Sequence, residues 1–182
     1  MNAKEKNIHS LYKARTAHLK WVNTLKLLVS GFAIDKKTLP PLLQDSEFGK
    51  WFYNEAMQFS RFNSKNVLEE MEILLESMYD IYANIYAIYF GEKSPIKNFL
   101  GFKSSANKYE IELASRYYED IVKLSDQFKN RFKVFESQIL ALSQEKHEAV
   151  QAFDSEEEHK VSNNIHLDND DVNVYYHGPR SH

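Results

Sequence analysis

The sequence predicts an all-α protein, and three observations support that fold class. The 182 residues include only 5 Gly and 4 Pro, so few positions favour tight turns. Hydrophobic residues make up 43% of the chain, which is enough to bury one compact core. Apolar residues recur at steps of three and four, the spacing of one helix face. We therefore expect one helical domain with an appendage.

The first two predicted helices are separated by a connection that contains adjacent prolines. Residues 4–30 carry apolar side chains at helical spacing, and Gly31 ends the segment. The prolines at 40–41 cannot lie inside a helix. A short second helix is expected to begin near Asp45 or Ser46, because either side chain can cap free backbone N–H groups.

A third, long helix is expected to begin at Asn63 or Ser64 and to end at Phe90. Its apolar stripe is too wide for a surface helix, so we expect this helix to be central. Residues 4–90 would then form a helical bundle, and residues 91–106 a linker.

A fourth helix is expected over residues 107–153, with one narrow apolar seam like that of a coiled coil. Such a helix is longer than the bundle that could cover it. The seam therefore predicts contact with a second copy or with another protein through this C-terminal helix. The residues expected at that interface are Phe128, Phe132, Phe135, Ile139 and Leu142.

The last segment, residues 154–182, differs in composition from the rest of the chain. It holds seven acidic residues against two basic ones and has no apolar periodicity. Such a polar, charged segment cannot bury enough surface to offset the entropy lost on ordering. We therefore expect a disordered acidic tail.

Composition also excludes several classes of protein. The formal net charge of −3 gives no electrostatic basis for binding nucleic acid. The chain has no cysteine, which excludes disulfides, thiolate metal ligands and a cysteine nucleophile. No stretch approaches the ~18 apolar residues of a membrane span, and no secretory signal follows the polar start. We expect a cytoplasmic protein that does not bind membranes.

No pattern in the sequence indicates catalysis. There is no nucleophile beside a base and no phosphate-binding loop, and acidic pairs fall on the surfaces of the predicted helices. We expect a protein that is not an enzyme.

Two tryptophan motifs at a fixed separation resemble a known family. The first is His18-Leu-Lys-Trp21, and about 25 residues later comes Ser46-Glu-Phe48-Gly49-Lys50-Trp51-Phe52-Tyr53. Chemoreceptor zinc-binding (CZB) domains carry His-x-x-Trp followed at this separation by Cys-x-Phe/Leu-Gly-Lys-Trp-Tyr. A third stretch, Leu68 to Tyr82, is similar to the family segment in which His-x-x-x-His precedes Asp-Ile-Tyr.

The resemblance implies an antiparallel four-helix bundle and a cytoplasmic role beside chemoreceptors or cyclic-dinucleotide enzymes. It also implies zinc held by three His and one Cys. Only His18 matches a ligand here, because the other three positions hold Ser46, Leu75 and Tyr79. Zinc needs about four donors. We therefore expect no zinc and no other cofactor in a regulatory or adaptor module that acts through helix–helix contacts.

Two interpretations of His18 remain open. A histidine on the apolar face of a helix is more often a core residue with a hydrogen-bonded ring than a metal ligand. Alternatively, His18 keeps a residual site with Asp45, Glu47 and Glu76 as oxygen donors, and the chain is a metal sensor.

The remaining motif residues, Trp21, Phe48, Gly49 and Trp51, are expected to be structural. Glycine inside a helix costs about 1 kcal/mol relative to alanine, so Gly49 should have a packing reason. We expect a close helix crossing beneath Trp51.

Overall fold

All regular structure in the described part of the chain is helical. The computed structural model describes residues 1–91, 106–150 and 152, and those residues include no strand. The predicted all-α class is therefore confirmed for them. The long elements are α1 (Ala3–Val29), α2 (Glu47–Asn54), α3 (Lys65–Phe90) and α4 (Lys108–Ala141).

Side-chain caps explain where α1 and α4 begin. Asn2 Oδ1 accepts from the backbone N–H of Glu5, and the Glu5 carboxylate accepts from the N–H of Asn2, both at 2.9 Å. Asn107 and Glu110 form the same reciprocal pair at the start of α4. Each pair satisfies two N–H groups that the helix itself leaves without partners. The start of α3 is different, because the side chain of Ser64 makes no cap bond.

The connection between α1 and α2 is packed against α3. It contains two short 3-10 turns, Lys36–Thr38 and Leu43–Asp45. The buried hydroxyl of Tyr82 on α3 donates to the backbone oxygen of Leu39 at 2.7 Å. This bond satisfies a carbonyl within the core. It also fixes the connection against the C-terminal half of α3.

Helix α4 contacts both α1 and α3. The ammonium group of Lys4 donates to the backbone oxygens of Leu140 at 2.9 Å and Leu142 at 3.0 Å, so the start of α1 lies at the end of α4. On the other side, Arg131 of α4 pairs with Glu70 of α3 at 2.9 Å. The seam of α4 therefore closes the core between two helices.

The expected interface residues lie in this core. Phe128, Phe132, Phe135 and Ile139 are each at most 2% exposed, and Leu142 packs against them. The prediction that this seam is a surface for a second copy is wrong for these four side chains. Both α1 and α3 reach far enough along α4 to cover it.

Helix α4 is also shorter than expected. It ends at Ala141, Leu142 adopts an extended backbone (ψ 146°), and a second helical segment covers residues 144–150. The expected continuous helix over 107–153 is therefore interrupted. Within the second segment, buried His147 places Nε2 3.2 Å from the backbone oxygen of Ile139 and Nδ1 3.1 Å from the Asn7 amide nitrogen. These contacts fold the segment back over the end of the core.

The greater part of the predicted linker and the whole predicted acidic tail lie outside the described residues. Within residues 1–91 and 106–150, no helix combines the length and the apolar character that crossing a membrane requires.

Candidate functional site

His18 lies at the middle of α1, with its ring inside the core. The side chain is 3% exposed, and its Nε2 lies 2.9 Å from the hydroxyl oxygen of Ser125 on α4. The ring of Phe128 is 4.6 Å away and that of Phe48 is 5.7 Å away, centroid to centroid. The expectation of a core histidine with a hydrogen-bonded ring is confirmed.

Burial sets the protonation state of this histidine. Loss of hydration disfavours the imidazolium ion, and the nearby ammonium of Lys129 adds repulsion, so the pKa of His18 falls to about 4. His18 is therefore neutral at pH 7. A neutral ring can accept a hydrogen bond from the hydroxyl of Ser125 or donate one to its oxygen.

Ser46 stands at the cysteine position of the CZB pattern and caps α2. Its hydroxyl donates to the backbone oxygen of Leu43 at 2.6 Å and accepts from the N–H of Gly49 at 2.9 Å. The side chain is buried. The hydroxyl therefore has a structural role that explains why a serine suits this position.

Leu75 and Tyr79 stand one turn apart on α3, at the histidine positions of the pattern. Leu75 is buried in the core. The Tyr79 ring stacks on Trp21 of α1, with 5.0 Å between centroids and 7° between planes. Burial raises the pKa of Tyr79 to about 12, although a hydrogen bond with Ser46 opposes the rise; the carboxylate of Asp45 raises it further. Leu75 offers no metal donor, and the raised pKa keeps the Tyr79 phenol neutral and thus a poor one.

One cleft joins all four positions. His18, Ser46, Leu75 and Tyr79 line a cavity of about 470 Å³ between α1, the connection and α3, and we call it the His18 cleft. Trp21 also lines it. The positions that the resemblance groups as ligands are therefore neighbours in the fold.

The residues present do not fit a zinc ion. His18 can supply one ligand nitrogen, and its Nε2 already has Ser125 as a partner. Asp45 and Glu47 line the His18 cleft, whereas Glu76 does not. Nowhere in the described ranges do three His, Asp or Glu side chains come together as a metal-binding group.

The motif residues expected to be structural lie in the core or pack against it. Phe48 packs edge-on against Trp51, with 5.3 Å between centroids, and Trp51 lies 6.0 Å from Phe132 of α4. A Cβ at Gly49 would overlap the backbone oxygen of Leu43. The packing reason for this glycine is thus the 3-10 turn before α2 rather than the expected helix crossing.

Sequence reasoning missed Ser125 and His147, which bind His18 and the start of α1 respectively. Ser125 lies on the same helix face as Ile121, Phe128 and Phe132. A polar residue on that apolar face could have indicated a buried hydrogen bond. His147 gave no such signal, because its partners are Asn7, 140 residues earlier, and the carbonyl of Ile139 in the last turn of α4.

A search of family models, curated proteins and solved structures found no match to the chain.

Proposed function

We propose that this chain is a non-enzymatic signalling or adaptor module of the CZB type, located in the cytoplasm, that no longer holds zinc. Its architecture would be the antiparallel four-helix bundle of that family. It would act through helix–helix contacts with a second copy or with a chemotaxis or cyclic-dinucleotide signalling protein.

Contacts between α1, α3 and α4 support the antiparallel arrangement. Lys4 near the start of α1 meets Leu140 near the end of α4, and His18 meets Ser125 earlier in α4. Later residues of α1 therefore contact earlier residues of α4, as in two antiparallel helices. Stacking of Trp21 on Tyr79 places α1 and α3 side by side.

The His18 cleft is the observation that carries the proposed loss of zinc. All four ligand positions of the CZB pattern line it, which supports a shared framework. Three of them hold a capping serine, a buried leucine and a stacked tyrosine, so each has a role that stabilises the fold without metal. Loss of the ligands is thus compensated by packing.

Partner contact through α4 would use its outward face, since the seam is covered. Val134 and Leu140 are exposed on this helix, at 44% and 41%. These two side chains are the positions on α4 at which we propose that a partner helix makes apolar contact. This placement keeps the proposed partner on the C-terminal helix while leaving the core intact.

A metal sensor is the second candidate. Asp45 and Glu47 line the same cleft as His18, and this favours a mixed nitrogen and oxygen site. It is the weaker proposal, because Asp45 and Glu47 are exposed and the Nε2 of His18 is already bonded to Ser125.

Elemental analysis of the purified chain tests the proposal against this candidate. The proposed function requires no stoichiometric zinc, and the His18→Ala variant should have the same metal content as the wild type. One tightly held zinc per chain that is lost in His18→Ala would establish the sensor instead. Association through α4 should make the sedimentation coefficient of the wild type rise with concentration. Val134→Glu should reduce that rise.

A further inference from the structure

We propose that the His18 cleft binds a small organic cation. The inference rests on the proposed function in one respect, which is that no zinc occupies this position. The ligand class follows from the size of the cleft, its aromatic wall and the carboxylates beside that wall.

The His18 cleft has the dimensions of a ligand site. Its volume of about 470 Å³ lies within the range of roughly 300–1,000 Å³ for small-molecule pockets. Apolar side chains from α1, the connection and α3 line most of it, including Ile34, Leu43 and Leu75. Nine of the nineteen lining residues are polar or charged, so the cleft offers both apolar contact and groups that fix a ligand's orientation.

An aromatic wall forms one side of the cleft. Trp21 and Tyr79 stack in parallel, Phe48 lies across from His18, and all four side chains line the space. The face of an aromatic ring carries partial negative charge, so it attracts ammonium groups and repels anions. Tryptophan is the strongest of the natural rings in this respect.

Carboxylates flank the aromatic wall. Asp45 lies close enough to the Tyr79 hydroxyl to raise its pKa, and Glu47 is two residues further along the chain. Neither carboxylate forms an ion pair with any residue in the described ranges. A cation bound in the cleft would therefore be attracted by two carboxylates that form no ion pair within the described part of the chain.

Two lysines also line the cleft and bring positive charge close to the carboxylates. Lys37 belongs to the other 3-10 turn, Lys36–Thr38, and Lys20 is exposed on α1. Their long stems let both ammonium groups extend into water. Asp45 and Glu47 are exposed as well, and the exposed carboxylate of Asp35 also lines the cleft. Three carboxylates therefore line the cleft against two ammonium groups, so the charge of the lining is net negative.

Choline and its uncharged isostere 3,3-dimethylbutanol provide the test, because they differ only in a quaternary nitrogen against carbon. Each is titrated into the full chain at millimolar concentrations, and binding is followed by heteronuclear NMR. We expect choline to shift resonances of cleft residues and to bind at least about fivefold more tightly than the isostere, which corresponds to ~1 kcal/mol.

Matched variants locate the site. Asp45→Asn should weaken choline binding several-fold, whereas Asp80→Asn, which removes the same charge from an exposed position on α3, should not. Absence of choline binding, equal binding of the isostere, or equal effects of the two variants would overturn the proposal. A chain that holds no zinc and binds neither probe would retain the proposed function and remove only this ligand class.

Discussion

The imidazole Nε2 of His18 lies 2.9 Å from the hydroxyl of Ser125, and this contact joins the interior of α1 to α4. Both side chains are buried among aromatic rings, so neither has water as an alternative partner. A buried polar pair of this kind fixes the register of two helices, because sliding either helix would leave both groups without partners.

Protonation of His18 should destabilise the fold. Its pKa is about 4 in the folded chain and near 6.5 when unfolded, so the unfolded state binds more protons between these values. The stabilisation is fully present above the unfolded pKa and is lost as the pH falls towards 4. We expect a loss of about 2–3 kcal/mol between about pH 7 and pH 4.5.

Urea unfolding at a series of pH values measures this effect. His18→Gln removes the titrating group, so its unfolding free energy should fall less steeply over the same range. His147, whose pKa is also lowered by burial, contributes equally to both proteins. Identical pH dependence in the wild type and the variant would contradict the assignment.

Introducing charge into the seam should unfold the chain rather than dissociate a dimer. Phe135 is fully buried, and a glutamate there would place an unpaired carboxylate in the core, at a cost of more than about 4 kcal/mol. Val134, its neighbour, is 44% exposed. Circular dichroism should therefore show lost helix in Phe135→Glu and retained helix in Val134→Glu. Retained helix in both would mean that the seam is not core.

Introducing the ligands of the CZB pattern should create a zinc site. The triple variant Ser46→Cys, Leu75→His and Tyr79→His places three donors around the same cleft as His18. It loses the α2 cap and the Trp21 stack, so we expect it to melt lower than the wild type without metal. Added zinc should then raise the melting temperature. The same triple variant with His18→Ala is the control, and an equal zinc response in both would show that His18 is not a ligand.

Lys4 should stabilise the end of α4. Its ammonium satisfies two carbonyls at the negative end of the helix, and Lys4→Met should cost about 1 kcal/mol. Lys6→Met is a matched control, because Lys6 is exposed on the same helix. Hydrogen exchange should accelerate over residues 139–150 in Lys4→Met alone. Unchanged exchange there would indicate that His147 is sufficient to hold the segment.

The sequence by itself determined the helices and the incomplete ligand set. Helix periodicity and the caps at Asn107 and Ser46 depend on residues within one or two turns, so they can be predicted from the local sequence. The His, Ser, Leu and Tyr at the four CZB positions are likewise a matter of residue identity. Their meeting in one cleft was implied by the resemblance, and the fold brings them together.

Only the tertiary structure decided which apolar face is core and where α4 ends. An apolar seam has the same sequence pattern whether α1 and α3 or a second copy covers it. Which of them covers it depends on contacts between residues more than a hundred positions apart, such as that of His18 with Ser125. The end of α4 at Ala141 has no glycine or proline to mark it. It is stabilised by Lys4, which donates to the carbonyls of Leu140 and Leu142, and by His147, whose Nε2 contacts the carbonyl of Ile139 that also accepts from the N–H of Leu142.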